Sequence, residues 1–449
     1  MMQMMVRWSI ASIFLGIGAL YAQSAISDEM RQLIEVQHQV RLSLEQQPNH
    51  TCRMIVRRAR LGKKARERLL KLARKRGSER FSADLPPDVQ DVVELEVAVI
   101  DGKELYAFPD SPRFEERPLE EIIGFGSVAT GDFSAHLRSI FVNGAARIER
   151  FGSDDLDGRS ALRWDYKVSL FRSGYQIADI GHTAYDGSFW ADPETHQLLR
   201  LDIEAVDIPM SAGVTEVVTQ IDYQRVALSG GSFVTPRRAQ LTLRLASGDE
   251  NRNDTEFLDC KDFQAESTLS FDDLSDRFYV QRVESFQAFE IPVDTRLGVS
   301  LQTPIDSKIS RVGTPIEARL TRNVNLDDGT RLPKGARLTG RLRMFARYTD
   351  GTPRTLVGIE FTELTFGGHR APLRLKLERI TTNQKISADG PEGSFSSQTL
   401  SVGVMRGYRD FIESYPEQDT PGIGLFYVTQ AEFVIQPGVQ MTWRTIPLP

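Results

Sequence analysis

The sequence predicts a mainly β protein: an N-terminal helix plus a large curved antiparallel sheet forming a half-open barrel, followed by a second, smaller β-barrel or sandwich. Three observations predict it. After one amphipathic stretch near the N-terminus, apolar and polar residues alternate through many short segments. Asp-Gly, Gly-Gly and Asp-Pro pairs separate those segments, which is the chemistry of tight hairpins. At 449 residues, 40% hydrophobic and 26% charged, the chain has material for two or three domains with their own cores.

Residues 1–25 read as an export signal. Arg7 supplies the charge, WSIASIFLGIGALYA the apolar run and Ala22-Gln23-Ser24 a small-residue cleavage site. The run is about fifteen residues, short of the roughly twenty a spanning helix needs, so a cleaved signal is expected rather than an anchor. No cysteine follows it closely, which argues against a lipid-modified N-terminus. Residues 27–46 then carry Met30, Ile34, Val40 and Leu44 at helical spacing, with Ser27 as N-cap, Asp28 and Glu29 in the first turn and Pro48 beyond the end. From Thr51 the period becomes two, in TCRMIVRRA, ELEVAVIDGKELYAF, SIFVNGAARIERFG, SALRWDYKVSLF, GSFWADPETHQLLRLDIEAV, EVVTQIDYQRVAL, SFVTPRRAQLTLRLAS and NDTEFLDCKDFQ. Residues 27–270 are therefore expected to form the helix and first sheet, and 271–290 a connector. A second strand series fills 291–449, interrupted by an irregular Ser-, Gly- and Asp-rich insertion at 381–421.

The two cysteines, Cys52 and Cys260, fall near the start of the first strand and the end of the last. A disulfide between them would persist in an exported protein and needs those two strands to be neighbours. On the chain-entropy model, so long a loop is worth at most about 5 kcal/mol. Two buried free thiols are the alternative, and no Cys-x-x-Cys suggests a redox pair.

No constellation points to catalysis. The six histidines are scattered without ligand spacing, GFGSVATGD places Ser127 out of register for a nucleophile elbow, and no phosphate-binding or dinucleotide loop is present. The expectation is a non-enzymatic chain with no catalytic residue, cofactor or metal. SDDLDG (153–158) suits a hairpin turn better than a calcium loop, lacking the later glutamate. Asn253-Asp254-Thr255 matches a glycosylation acceptor. Tyr106, Phe108, Phe141, Trp164, Tyr166, Phe189 and Trp190 recur along the first sheet. They read either as plain core or as the wall of a groove for an acyl chain or hydrophobic peptide.

A basic arm follows the first strand: Arg57, Arg58, Arg60, Lys63, Lys64, Arg66, Arg68, Lys71, Arg74, Lys75, Arg76 and Arg80, against Glu67 and Glu79, in a chain of net charge -6. Residues 62–76 can form a helix with Ala65, Leu69, Leu72 and Ala73 on a narrow apolar stripe. Export removes the nucleic-acid reading. What remains is a solvated insertion, or contact with an acidic partner or an anionic membrane surface, where each Lys or Arg adds about 1 kcal/mol.

At FWADPETHQLLRLDIE (189–204), preceded by LDGRSALRWDYKV, the chain resembles the periplasmic lipoprotein-carrier superfamily (LolA/RseB-like). Those proteins are a helix plus an unclosed β-barrel, often with a strand, Asp-Pro-Glu-Thr and a strand ending in Leu-Arg-Leu. The resemblance covers roughly 27–270; the basic insertion departs from the simplest pattern, and no family ligand residue carries over. In the second part, TRLGVSLQTPIDS, PIEARLTRNV, TRLPKGARLTGRL and FVIQPGVQMTWRT are similar to the C-terminal β-barrel of TrbI-like outer-membrane ring components of type IV secretion systems. Pro333, Gly335, Leu338 and Gly340 match its turn into a barrel strand. FIESY is too short and polar for the ring's membrane-inserting helix, so the resemblance implies an interaction module. Together they imply a periplasmic or envelope-associated protein that binds a lipophilic ligand or lipidated partner on the concave face of the first sheet. The alternative is a structural component docking to an envelope complex through the C-terminal barrel.

Overall fold

The computed structural model describes residues 28–63, 88–111, 113–123, 127–177, 181–263, 287–327, 329–349, 353–381, 421–428, 430 and 432–448. The expected export signal, most of the basic arm, most of the connector and nearly all of the 381–421 insertion lie outside the described residues. Helix α1 (Asp28–Gln46) buries Leu33, Val36, Val40 and Leu44, spaced three or four apart. Met30 and Ile34, expected on the apolar face, are instead 48% and 46% exposed. The buried stripe is centred on Leu33 and Val36, which the expected set omitted.

Ten strands build the first sheet: β1 (His50–Leu61), β2 (Val89–Ile100), β3 (Lys103–Ala107), β4 (Ala146–Leu156), β5 (Arg159–Val168), β6 (Ala184–Ala191), β7 (Leu198–Val206), β8 (Val214–Leu228), β9 (Gly231–Leu245) and β10 (Glu250–Asp262). All pair antiparallel, in the order β3-β2-β1-β10-β9-β8-β7-β6-β5-β4. Asp101–Gly102 between β2 and β3, and Asp157–Gly158 between β4 and β5, take positive φ at both positions, as two-residue hairpin loops require. The turn reading of SDDLDG follows from the second of these.

The meander's first and last strands are neighbours, so Cys52 in β1 and Cys260 in β10 form a disulfide across that seam, their Cα atoms 4.1 Å apart. The β1–β10 register slips between Thr51 and Arg53, and Asp259 enters the left-handed region there, marking a bulge. Further along β1, Arg58 and Asp91 form a buried pair at 2.5 Å, tying β1 to β2.

The second strand group comprises β11 (Arg296–Leu301), β12 (Pro315–Leu320), β13 (Arg337–Tyr348), β14 (Arg354–Phe366), β15 (His369–Pro372), β16 (Leu375–Thr381), β17 (Ile423–Val428) and β18 (Gln440–Thr445). It runs β17-β14-β13-β12-β11-β18-β16, and β16 comes back alongside β17, a barrel-like curl with Trp443 and Phe361 at its centre. Pro333 and Gly335 make the turn that enters β13, where Leu338 is fully buried. The end of β13 pairs with the start of β2 (Arg347 with Gln90, Tyr348 with Val89), and Val312 bridges to Val93. Main-chain hydrogen bonds thus join the two strand groups into one continuous ladder.

Candidate functional site

Because β1 pairs with β10, the break in the first sheet falls between its edge strands β3 and β4. The chain from β3 to β4 is the connection that has to cross that gap. It contains a short helix, α2 (Leu119–Ile123), then Ala135–Leu137 running directly into a π-helical turn, Arg138–Val142. Single π turns of this kind tend to accompany functional sites. SIFVNGAARIERFG was expected to alternate as a strand; its first half is this π turn, and strand geometry begins only at Ala146.

Four attachments hold the crossing segment over the sheet. Glu104 on β3 accepts hydrogen bonds from the Gly131 and Phe133 N–H groups at 2.9 and 3.0 Å. The Ser134 hydroxyl donates to the Gly102 carbonyl at 2.6 Å, and the Tyr223 hydroxyl on β8 donates to the Asp132 carbonyl at 3.1 Å. From α1, the Arg41 guanidinium donates to the Phe141 carbonyl at 2.7 Å. α1 in turn is fixed to β9, where the Val234 N–H donates to the Ser43 hydroxyl.

Beneath this cover the inner face is aromatic. Trp164 on β5 stacks on Phe189 on β6 with centroids 5.2 Å apart, and Phe141 meets Phe189 edge-on at 4.9 Å. Tyr166 lies across Gly187, where a Cβ would sit 2.6 Å from the phenol oxygen, and donates to the Asp202 carbonyl. All four rings are at most 1% exposed. The other three expected groove residues lie apart. Tyr106 is buried on β3 and donates to Glu104, whereas Phe108 sits beneath Arg341 and Arg343 of the second strand group, at 5.7 and 5.5 Å. Trp190 is on the opposite face, under the Arg163 guanidinium and donating to Asp154.

A polar cluster that sequence reasoning missed joins the cover, through Asp132, His136 and Ser139, to Tyr175, Thr183 and Tyr185. Asp132 is 2% exposed and its Oδ1 has no hydrogen-bond partner. Burial, with the Glu104 charge adding, pushes its carboxyl up to about 8, so at neutral pH it is an acid able to donate. Desolvation pushes the half-buried His136, whose ring packs against Tyr175, down to about 4. Tyr175 and Tyr185 neighbour each other, Tyr185 shares a hydrogen bond with Ser139, and the Thr183 hydroxyl is buried without a partner. In the sequence these residues are one loop acid and scattered tyrosines; the unpatterned stretch between two strand series was the only signal available.

The basic residues divide. Arg57, Arg58 and Arg60 belong to β1, and Lys63 follows it. Arg58 turns inward to Asp91 and Arg60 pairs with Asp249 at 2.7 Å, so neither projects as part of an arm. Lys64, Arg66, Arg68, Lys71, Arg74, Lys75, Arg76 and Arg80 lie outside the described residues. Asn253 is 2% exposed and donates to the Ser127 carbonyl, which rules out the glycosylation reading in the folded chain. Among the described residues no helix is long and apolar enough to cross a membrane.

No protein-family model and no curated protein matches the chain. Solved structures to which it is similar include a LolA superfamily protein from Nitrosomonas europaea, at 10% identity and TM-score 0.26, over 53% of this chain and 94% of that one. Another is a domain assigned to an outer membrane lipoprotein-sorting protein from Vibrio parahaemolyticus, at 10%, 0.28, 54% and 95%. A third is a DUF1329 family protein from Desulfovibrio piger, at 11%, 0.26, 54% and 96%. Similarity at this level leaves the function to this chain's own residues.

Proposed function

We propose that the chain is an exported envelope protein that binds a lipophilic ligand, an acyl chain or a lipidated partner, on the inner face of its first sheet. The observation that carries this reading is the cover. An aromatic sheet face is roofed by a crossing segment tied down through a few side-chain bonds, with unpaired polar atoms at their interface, Asp132 Oδ1 on the segment and Thr183 Oγ1 on the sheet side. Buried unpaired polar groups each cost roughly 1–3 kcal/mol, so the covered state gives up stability at this place. Displacing the cover opens Trp164, Phe189 and Tyr166 to an acyl chain, at about 25 cal/mol per Å² of apolar surface removed from water. Neutral Asp132, carried on the cover itself, and the Thr183 hydroxyl on the sheet side are both able to donate to an ester or amide carbonyl at the chain's head. Residues 27–270 and 291–449 are the two proposed units, and the basic arm is a proposed contact for an anionic surface. Native mass spectrometry of the intact chain taken from cell envelopes tests the reading. The expected result is one acyl-bearing molecule per chain, released by organic extraction; mass at the bare polypeptide value in every preparation would overturn it.

A further inference from the structure

On the outer face of the first sheet, a cleft of about 500 Å³ opens where the two strand groups join. Its apolar floor is Ile55, Ala59, Leu61, Val92 and Phe345, and its charged lining is Arg57, Arg252, Lys308, Arg311 and Arg347 against Asp254, with the inward-turned Arg58–Asp91 pair at its inner margin. The ion pairs decide the sign of its field. Both carboxylates are neutralised by ion pairs, Asp91 by Arg58 within the lining at 2.5 Å and Asp254 by Arg238 outside it at 2.7 Å. Arg57, Arg252, Lys308 and Arg311 have carboxylate partners outside the lining, in Glu256, Glu250, Glu432 and Glu94. Arg347 differs. It is half-buried, pairs through its backbone with Gln90 and makes no side-chain hydrogen bond or ion pair among the described residues.

We infer that this cleft binds a phosphate-type oxyanion carried on an apolar group, with Arg347 as its anchor and Arg57 and Arg311 as the adjoining donors. A half-buried guanidinium without an anion is costly, and burial depresses its pKa, with Glu432 and Asp306 offsetting only part of the penalty. Guanidinium groups supply forked N–H donors that fit phosphate oxygens. The Arg57–Glu256 pair is exposed on both sides and can open toward a ligand at little cost. Aliphatic and phenyl side chains at the floor suit the carbon skeleton next to the phosphate. The site touches both strand groups and lies on the face away from the acyl-binding cover, so it stands or falls separately from that reading.

Calorimetric titration of the full chain tests it, with inorganic phosphate, dihexanoyl phosphatidylglycerol and dihexanoyl phosphatidylcholine as probes. Saturable binding of phosphate or phosphatidylglycerol, falling at least tenfold in Arg347→Gln and weakening with salt, is the expected result. Binding of phosphatidylglycerol alone identifies a lipid headgroup as the source, and binding of inorganic phosphate alone identifies the free anion. Arg379→Gln, a change in β16 outside the cleft lining, should leave affinity unchanged and controls for net charge. No binding of either anion, equal binding of phosphatidylcholine, or full affinity in an Arg347→Gln chain with unchanged circular dichroism would overturn the assignment.

Discussion

Asp132 concentrates the chemistry of the covered site into one titration. Its folded-state pKa, about 8, lies above the ordinary carboxylate value, so the native chain holds a proton the unfolded chain releases. That contribution is complete below the ordinary value and is lost as pH rises through about 8. His136, lowered to about 4, has the opposite sign: its contribution is lost as pH falls from about 6.5 through 4, and His50, lowered by burial, acts the same way. The acid and the histidines therefore oppose each other below about pH 6.5, and Asp132 acts alone above it. Urea unfolding should show stability falling by up to about 2 kcal/mol between pH 6.5 and 8, at 1.36 kcal/mol per unit. Asp132→Asn should flatten this limb, and an unchanged limb in the variant would contradict the assignment. None of this was legible beforehand, because a loop aspartate reveals its burial only through Glu104, Tyr106 and Tyr223, which come from other strands. Arg58 was misread for the same reason: its place in a basic run suggested solvent, and only β2 supplies Asp91.

The strands were the legible elements. Period-two segments and the Asp101–Gly102 and Asp157–Gly158 turns are local signals, since side-chain alternation and positive φ are properties of a few adjacent residues. The disulfide was legible too, as Cys52 and Cys260 sit at the two ends of the meander and become partners when its first and last strands meet. Replacing both with serine should lower the unfolding free energy by as much as about 5 kcal/mol, the chain-entropy ceiling for a 208-residue separation. Equal urea midpoints for oxidised wild type and the double variant would show that the seam between β1 and β10 needs no staple. The cover was illegible because a π turn has no hydrophobic period of its own. Ser139 to Val142 reads as the apolar start of a strand, and its helical form is set by α1, through Arg41, and by the aromatic sheet below.

At the scale of the whole molecule, the pairing of β1 with β10 fixes where the sheet opens, and the opening fixes which segment must cross it. The cleft on the outer face has the same origin, since the second strand group joins at β2, next to the seam. That edge pairing unites Gln90 with Arg347, residues far apart in the chain, and no local pattern announces it. The central claim is that the segment from Gly131 to Val142 is a displaceable roof over an acyl-binding face, so its opening should be cheaper than unfolding of β5 and β6. Hydrogen exchange of the full chain, with and without a palmitoyl lysophospholipid below its micellar concentration, tests this most directly. Without lipid, amides of residues 131–142 should exchange well before those of β5 and β6. With lipid, the exchange of this segment and of the strands carrying Trp164, Tyr166 and Phe189 should change together. Exchange of the segment only on global unfolding, or no response in any of these strands to the lipid, would contradict the account.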